Sequence, residues 1–433
     1  MGDSIFYKKT IKDIDLAGKV ALLRADYNVP MENGKITDDY RIKKSLPTIQ
    51  YLLERDCKVV ICSHLGRPSG KDDLLASLEP IAKRLANLLK KNVGFVNDCV
   101  SDQAKKCIEE MNSKDVLVLE NLRYYPEEEK NDHDFARRLA EGIDIFVQDG
   151  FGVLHRAHAS TDAITKFLPS VAGFLVEAEM TAINRFTVEP QRPLMVLVGG
   201  AKIGDKIDFI DRFVDFADIV AIGGAMSNTF LLAEGIGVGE SLAEPEEVPL
   251  AKKILEKARK KAKQGEFVFY VPQDGVVSKK MESNTTTRIV DWGTHIIADI
   301  ESYPKKPTRE AGKIGRDEQI LDIGPFSGAF IAGSMQLANT VIWNGAMGVT
   351  EIEGLLSASG PFSHGTELVV EALLGKFGHR PQTFVGGGDT AGYIEQRSLV
   401  EHFDHVSTGG GASMELMSGK KLPGIEALLD KDK

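Results

Sequence analysis

Chemistry-bearing side chains gather at particular places along the chain. Arg24, Asp26 and Asn28 lie together, and His64 is followed by Arg67. Asn121 precedes Arg123, Asp149 is isolated, and His155, Arg156 and His158 form a cluster. A guanidinium fork matches carboxylate and phosphate oxygens in bidentate fashion, so several such groups brought together suit a small polyanion. A single arginine of this kind is as readily a surface ion pair, but four or five at successive strand ends are not. The later part of the chain carries glycines instead, in GGAKIGDK (199–206), GGGDT (386–390) and STGGGAS (407–413). Glycine lets backbone approach phosphate closely and present N–H groups and a helix N-terminus to it. Two of the three loops add a Lys or an Asp suited to phosphate and Mg2+. The two sets together imply a polyanion held by the first half and a nucleotide by the second.

These side chains need a scaffold, and the hydrophobic pattern supplies one. Short β-branched runs alternate with segments of helical period, as parallel α/β units do. In the first half the strands are expected at 19–29, 58–64, 93–98, 115–121 and 143–149. In the second half they are expected at 194–200, 218–224, 267–274, 319–324, 340–345 and 383–388. Helices are expected at 77–91, 174–188 and 205–216; in the last, Ile207, Ile210, Phe213 and Val214 share one face. Ligands of open parallel sheets lie beyond the carboxyl ends of the strands, where the charged groups and glycines fall. The fold class is therefore α/β, with two similar-sized lobes, each a mainly parallel sheet flanked by helices in Rossmann-like fashion. The prolines at 190 and 193 punctuate the chain, giving lobes 1–186 and 187–404 with a hinge at 187–193.

Composition bounds the function. The 433 residues exceed one comfortable core, and 42% hydrophobic with 27% charged content is that of a globular chain. A net charge of −10 argues against a general nucleic-acid binder. Cys57, Cys62, Cys99 and Cys107 contain no C-x-x-C pair and make no disulfide framework, as expected in a reducing compartment. No signal-peptide pattern and no run of 18 apolar residues occurs, so a cytoplasmic protein without membrane contact is expected. The G-x-x-x-x-G-K-[ST] loop, the early G-x-G-x-x-G fingerprint and the protein-kinase motif set are all missing.

Longer motifs go further. RADYNVP (24–30), ITDDYRI (36–42), SHLGRP (63–68), LENLRYYPEEEKND (119–132), DGFGVLHRAHAS (149–160), GGAKIGDKI (199–207), DIGP (322–325), WNGAMGVTE (343–351), GGGDT (386–390) and HVSTGGGASMELMSGKKLPG (405–424) follow in order. In these the chain resembles the phosphoglycerate kinases over essentially its whole length. The resemblance implies that Arg41, Arg67, Arg123 and Arg156 hold the carboxylate and phosphate of phosphoglycerate, with Asp26, Asn28 and His64 orienting it. It implies nucleotide contacts from Gly200, Lys202, Lys206, Gly324, Asn344, Glu351, Gly387, Gly388, Asp389 and Thr390. Among these, Glu351 would take the ribose, Asp389 the Mg2+ and Lys206 the phosphates, while Lys202 and Arg41 follow the migrating group. The catalytic set so implied is Arg41, Lys202 and Lys206. The implied reaction moves a phosphoryl group between 1,3-bisphosphoglycerate and ADP, giving 3-phosphoglycerate and ATP, after hinge closure. It also implies a monomer, and a segment 405–433 that returns to the first lobe. Ala346, Thr350, Gln148, Gly150 and the Phe326-Ser327 pair depart from the usual pattern, and none removes a charge assigned to chemistry.

Overall fold

The computed structural model describes residues 6–292, 296–297, 313–355 and 359–431. The chain divides into two compact units, Met1–Asn184 with Gly411–Lys433, and Arg185–Gly410. The helix Phe174–Thr187 runs across that division. Its last turn belongs to the second unit because Phe186 packs edge-on against Phe384, ring centroids 5.6 Å apart. The boundary therefore lies inside the helix, just before the position expected from the prolines.

In the first unit six parallel strands lie in the order Gly94–Val96, Val116–Leu119, Lys58–Cys62, Val20–Arg24, Ile145–Gln148, Ser170–Ala172. Alternation along each strand splits the apolar residues between two faces. Ala21, Leu23, Val59 and Ile61 join one core with the helices Tyr40–Glu54 and Glu79–Leu89. Leu22, Val60, Cys62 and Phe146 join the other with Asp102–Glu109 and His133–Leu139. Burial on both faces explains why these strands read as continuous apolar runs.

The N-terminal and C-terminal segments close this unit together. Lys8 pairs with Asp430 in a β-bridge, Lys9 N–H donates to Leu429 O at 2.7 Å, and Lys431 N–H donates to Tyr7 O. The buried Lys8 ammonium donates to Glu426 O, Leu428 O and Asp430 Oδ1 at 2.8–2.9 Å. Three acceptors offset the cost of burying that charge.

The second unit's main sheet has seven strands, in the order Ile296–Ile297, Val268–Tyr270, Ile219–Ile222, Leu194–Val198, Thr340–Asn344, Gln382–Gly386, His405–Val406. All pairings are parallel except that of the edge strand Ile296–Ile297. Because His405–Val406 pairs with Gln382–Gly386, the segment belonging to the first unit starts at Gly411 and not at 405. The run at 319–324 also lies elsewhere than in a parallel sheet. Gln319–Ile323 pairs antiparallel with Asp274–Ser278, which pairs antiparallel with Arg288–Asp291 in a separate three-stranded sheet.

Candidate functional site

The first unit collects its charges where the strands end. Arg24 is the last residue of Val20–Arg24, and Asp26 and Asn28 follow it; Ser63 and His64 follow Lys58–Cys62. Ser63 Oγ holds the turn by donating to Ala25 O at 2.7 Å and accepting from Tyr27 N–H at 2.9 Å. Arg41, in the first turn of Tyr40–Glu54, donates to the buried Asp26 Oδ2 at 2.6 Å. Burial opposes ionisation of Asp26, but the guanidinium groups of Arg41 and Arg24 outweigh it and hold the carboxyl below its usual range.

Arg24 is almost fully buried, and its guanidinium is spread over three partners. Nε donates to Ser160 Oγ at 2.8 Å, Nη1 to Ala25 O, and Nη2 to His64 Nδ1 at 3.2 Å. Ser160 is in turn held by the buried Glu128, which accepts from its N–H at 2.9 Å and its hydroxyl at 2.5 Å. Burial pushes the Glu128 carboxyl up against the opposing pull of Arg24.

Asn121 fixes the next strand end. Its amide donates to Leu65 O and Ala76 O at 2.7 and 2.8 Å, and its oxygen accepts from Arg123 N–H at 3.0 Å. The Arg123 side chain donates to Gly66 O at 2.7 Å and meets Glu129 at 3.2 Å. Asn28 Oδ1 accepts from Gly66 N–H at 2.8 Å, so the 63–67 loop is tied on both sides. Arg156 Nε donates to His155 Nε2 at 3.2 Å. The fields of Arg24, Arg41 and Arg123 all act on His64, and Arg156 acts on Arg123, so these groups share one neighbourhood. Arg67 stands exposed in the tied loop, without an ion pair or hydrogen bond among the described residues.

In the second unit the strand ends are backbone turns packed on one another. Gly200 N–H donates to Ala346 O at 3.0 Å, Gly224 N–H to Met347 O, and Gly199 N–H to Asn344 O. A Cβ at Gly199 would sit 2.1 Å from Ala346 O, so only glycine permits this approach. Lys206 reaches into the gap, donating to Gly199 O at 2.7 Å, Asn344 Oδ1 at 2.7 Å and Asn344 O at 3.2 Å. Burial lowers its ammonium to about 8, with Asp389 and Asp205 opposing. Thr390 is buried, and its hydroxyl accepts from Gly345 N–H at 2.8 Å, tying the 387–390 loop to the neighbouring turn.

The helix Gly388–Gln396 starts at the 387–390 loop, with Gly388 and Asp389 exposed. Lys202, Glu351 and Asp389 are exposed and have no hydrogen bond or ion pair among the described residues. Gly324 has a more structural role than expected. A Cβ there would lie 2.2 Å from the Asp274 carboxylate, which caps the helix Pro325–Met335 through Phe326 N–H and Ser327 N–H at 3.0 and 2.9 Å.

Two positioning groups escaped the sequence reading. Asp274 ends the apolar run at 267–274 yet was given no role, because its capping partner Ser327 lies 53 residues away. Arg24 is grouped by the sequence with the arginines suited to a polyanion, whereas its guanidinium is committed to Ser160, Ala25 O and His64. Its signal was available: a charged residue terminating the otherwise apolar strand VALLR must find buried partners.

Comparison with known proteins gives a consistent result. The family model described as phosphoglycerate kinase matches residues 11–420. A phosphoglycerate kinase of Pelotomaculum thermopropionicum is 42% identical over 424 residues, covering 98% of this chain and 100% of the relative. One from a Roseiflexus species is 43% identical over 425 residues, covering 98% and 99%. Among solved structures, phosphoglycerate kinase from Coxiella burnetii matches with TM-score 0.76 and 34% identity, covering 97% of this chain and 98% of that one. The enzyme from Pyrococcus horikoshii matches with TM-score 0.81 and 29% identity, again covering 97% and 98%.

Proposed function

The chain belongs to the phosphoglycerate kinase family and has its activity, and on that footing we propose that its two units divide the substrates between them. The reaction is reversible phosphoryl transfer between 1,3-bisphosphoglycerate and ADP, giving 3-phosphoglycerate and ATP. The phosphoglycerate is assigned to Arg41, Arg67, Arg123 and Arg156, with Asp26, Asn28 and His64 setting its orientation. The observation that carries the assignment is the contrast in pairing. Among the described residues Arg67 is an uncommitted cation in the loop tied by Asn28 and Arg123, while Lys202, Glu351 and Asp389 are likewise uncommitted in the half of the chain that carries the glycine turns.

For the nucleotide, the turn at Gly200, the backbone of Gly387 and Gly388, and the Lys206 ammonium are assigned to the phosphates, and Glu351 to the ribose hydroxyls. Asn344, which holds Lys206, Thr390, which holds the Gly345 turn, and Gly324 are assigned to the nucleotide as well. An exposed carboxylate beside a phosphate site is the donor Mg2+ takes, since that ion binds one or two carboxylates together with substrate phosphates and waters. Asp389 fits that requirement, and the ion would supply neutralisation of the phosphate charge.

Phosphoryl transfer spreads negative charge over three equatorial oxygens, so catalysis consists of positioning and charge stabilisation. Lys202 and Arg41 are assigned to that charge. Transfer is direct and in line, without a phospho-enzyme, once the units are brought together by bending near 187–193. The protein acts as a monomer in the cytoplasm. The test is a coupled assay with 3-phosphoglycerate, ATP and Mg2+, in which the acyl phosphate is reduced at the expense of NADH. NADH loss requiring both substrates and Mg2+ is expected. A folded full-length Arg67→Ala that loses affinity for ATP while its KM for 3-phosphoglycerate is unchanged would overturn the division of substrates.

A further inference from the structure

His64 is assigned above to the phosphoglycerate, and its chemistry there depends on which ring nitrogen carries the proton. The structure decides this through its neighbours. Nδ1 lies 3.2 Å from Arg24 Nη2 and 4.0 Å from Asp26 Oδ1. Arginine donates only, so the closer contact makes Nδ1 an acceptor and leaves it without a proton. The alternative, an Nδ1–H donated to Asp26, is too long to be a hydrogen bond. Asp26 Oδ1 is in any case engaged by Asn28 N–H at 3.2 Å, and Oδ2 by Arg41 at 2.6 Å.

Arg24 cannot easily turn away. It is 1% exposed, and Ser160 Oγ and Ala25 O hold its other nitrogens, with Glu128 behind Ser160. The charged groups acting on His64 are Asp26, Arg24, Arg123 and Arg41, three of them cationic. Desolvation and those cations together disfavour an imidazolium, and only Asp26 favours one. His64 Nε2 has no hydrogen-bond partner among the described residues. His155 repeats the pattern, with Nε2 accepting from Arg156 Nε at 3.2 Å.

We propose that Arg24 is a positioning residue that fixes His64 as a neutral Nε2–H donor for the phosphoglycerate, leaving the positive charge of this site to arginine alone. The proposal rests on the substrate assignment above and adds the tautomer and the group that sets it.

The experiment is nitrogen NMR of full-length protein carrying 15N-histidine, at neutral pH, with and without 3-phosphoglycerate. The expected result is a neutral His64 with its proton on Nε2, whose resonance moves when 3-phosphoglycerate is added. In Arg24→Met the single tautomer is lost and KM for 3-phosphoglycerate rises about tenfold, while KM for ATP is unchanged. Arg24→Lys, which can still donate, restores the tautomer and part of the affinity. A proton on Nδ1, or an imidazolium, in the unsubstituted protein overturns the proposal whether or not the variants fold. Retention of the Nε2–H form in a folded Arg24→Met removes Arg24 from the role. The expected tautomer with a His64 signal indifferent to 3-phosphoglycerate overturns donation to substrate, and the fault then lies in the site assignment.

Discussion

At the strand ends of the first unit most charged side chains already hold another group: Arg41 holds Asp26, Arg24 holds His64, and Arg123 holds Gly66 O and Glu129. At the strand ends of the second unit the tight contacts are between backbones, and Lys202, Glu351 and Asp389 stand free among the described residues. Under the proposed division of substrates, both arrangements prepare a site for anions, by different means. A small rigid substrate suits cations whose directions are fixed beforehand, which reduces the cost of ordering side chains on binding. A flexible triphosphate suits open backbone turns, with mobile charges that order only when the phosphates arrive.

The comparison can be broken most sharply at Lys202. If its charge serves the transferring group and no fold contact, Lys202→Ala lowers kcat by roughly 10²–10⁴ with no change in melting temperature. Unchanged turnover in the coupled assay would remove Lys202 from the chemistry.

The reverse outcome is expected at Gly199, where the turn itself is the structure. A methyl group 2.1 Å from Ala346 O forces the backbones apart, so Gly199→Ala costs roughly 2–4 kcal/mol in urea unfolding. A stability within experimental error of the unsubstituted protein would mean the turns are not packed as described.

Arg41 lies between these extremes, since it is half-buried and serves both fold and site. Arg41→Met leaves Asp26 buried without its closest cation and lowers stability by about 1–3 kcal/mol at neutral pH. The direction with pH follows from the depressed Asp26 carboxyl. Its stabilisation is fully present above the ordinary carboxylate range and is lost as pH falls through the depressed folded value. Acid titration of stability in the variant should therefore be shallower, and an unchanged acid slope would remove the pair from the account.

The smallest effect is expected at Lys206, and it sharpens the comparison by proton counting. With the folded ammonium lowered to about 8, the unfolded chain binds more protons than the folded one from there up to the ordinary lysine range. Stability from this group therefore rises with pH over that window, and Lys206→Met abolishes the rise. Phosphates placed against Lys206 would restore its proton, so nucleotide binding near pH 8 should take up a fraction of a proton. Calorimetry in two buffers of different ionisation enthalpy measures that uptake, and zero uptake separates Lys206 from the phosphates.

How much of this was legible in the sequence depended on length and partner distance. Val20–Arg24 and Leu194–Val198 were legible because parallel strands buried on both faces leave uninterrupted apolar runs. Ser170–Ala172 and His405–Val406 are too short to carry a pattern, and the second of these moved the expected boundary of the returning segment. Asp274–Ser278 was obscured because it follows so closely on the apolar run ending at Val271. At the candidate site, residue type and position at a strand end or in a glycine loop were enough to single out His64, Lys202 and Asp389, whereas Arg41, in the first turn of a helix, was reached only through the family resemblance. Type and position were not enough to separate free groups from committed ones. Asp149 illustrates this: a strand-end carboxylate like Asp26, it instead caps the helix Phe174–Thr187 through Leu175 N–H at 2.9 Å. Burial pushes it up to about 7, and only the three-dimensional partner distinguishes the two.

The joining of the segments around Lys8 and Asp430 sets an order of assembly. On the ribosome the residues of the second unit, 185–410, are contiguous and are complete before 411–431 has been made. The first unit, although its larger part is synthesised earliest, lacks the strand-to-strand closure at Lys9 and Leu429 until those last residues emerge. The first unit therefore cannot close until the last residues of the chain have been made, although most of it is synthesised earliest.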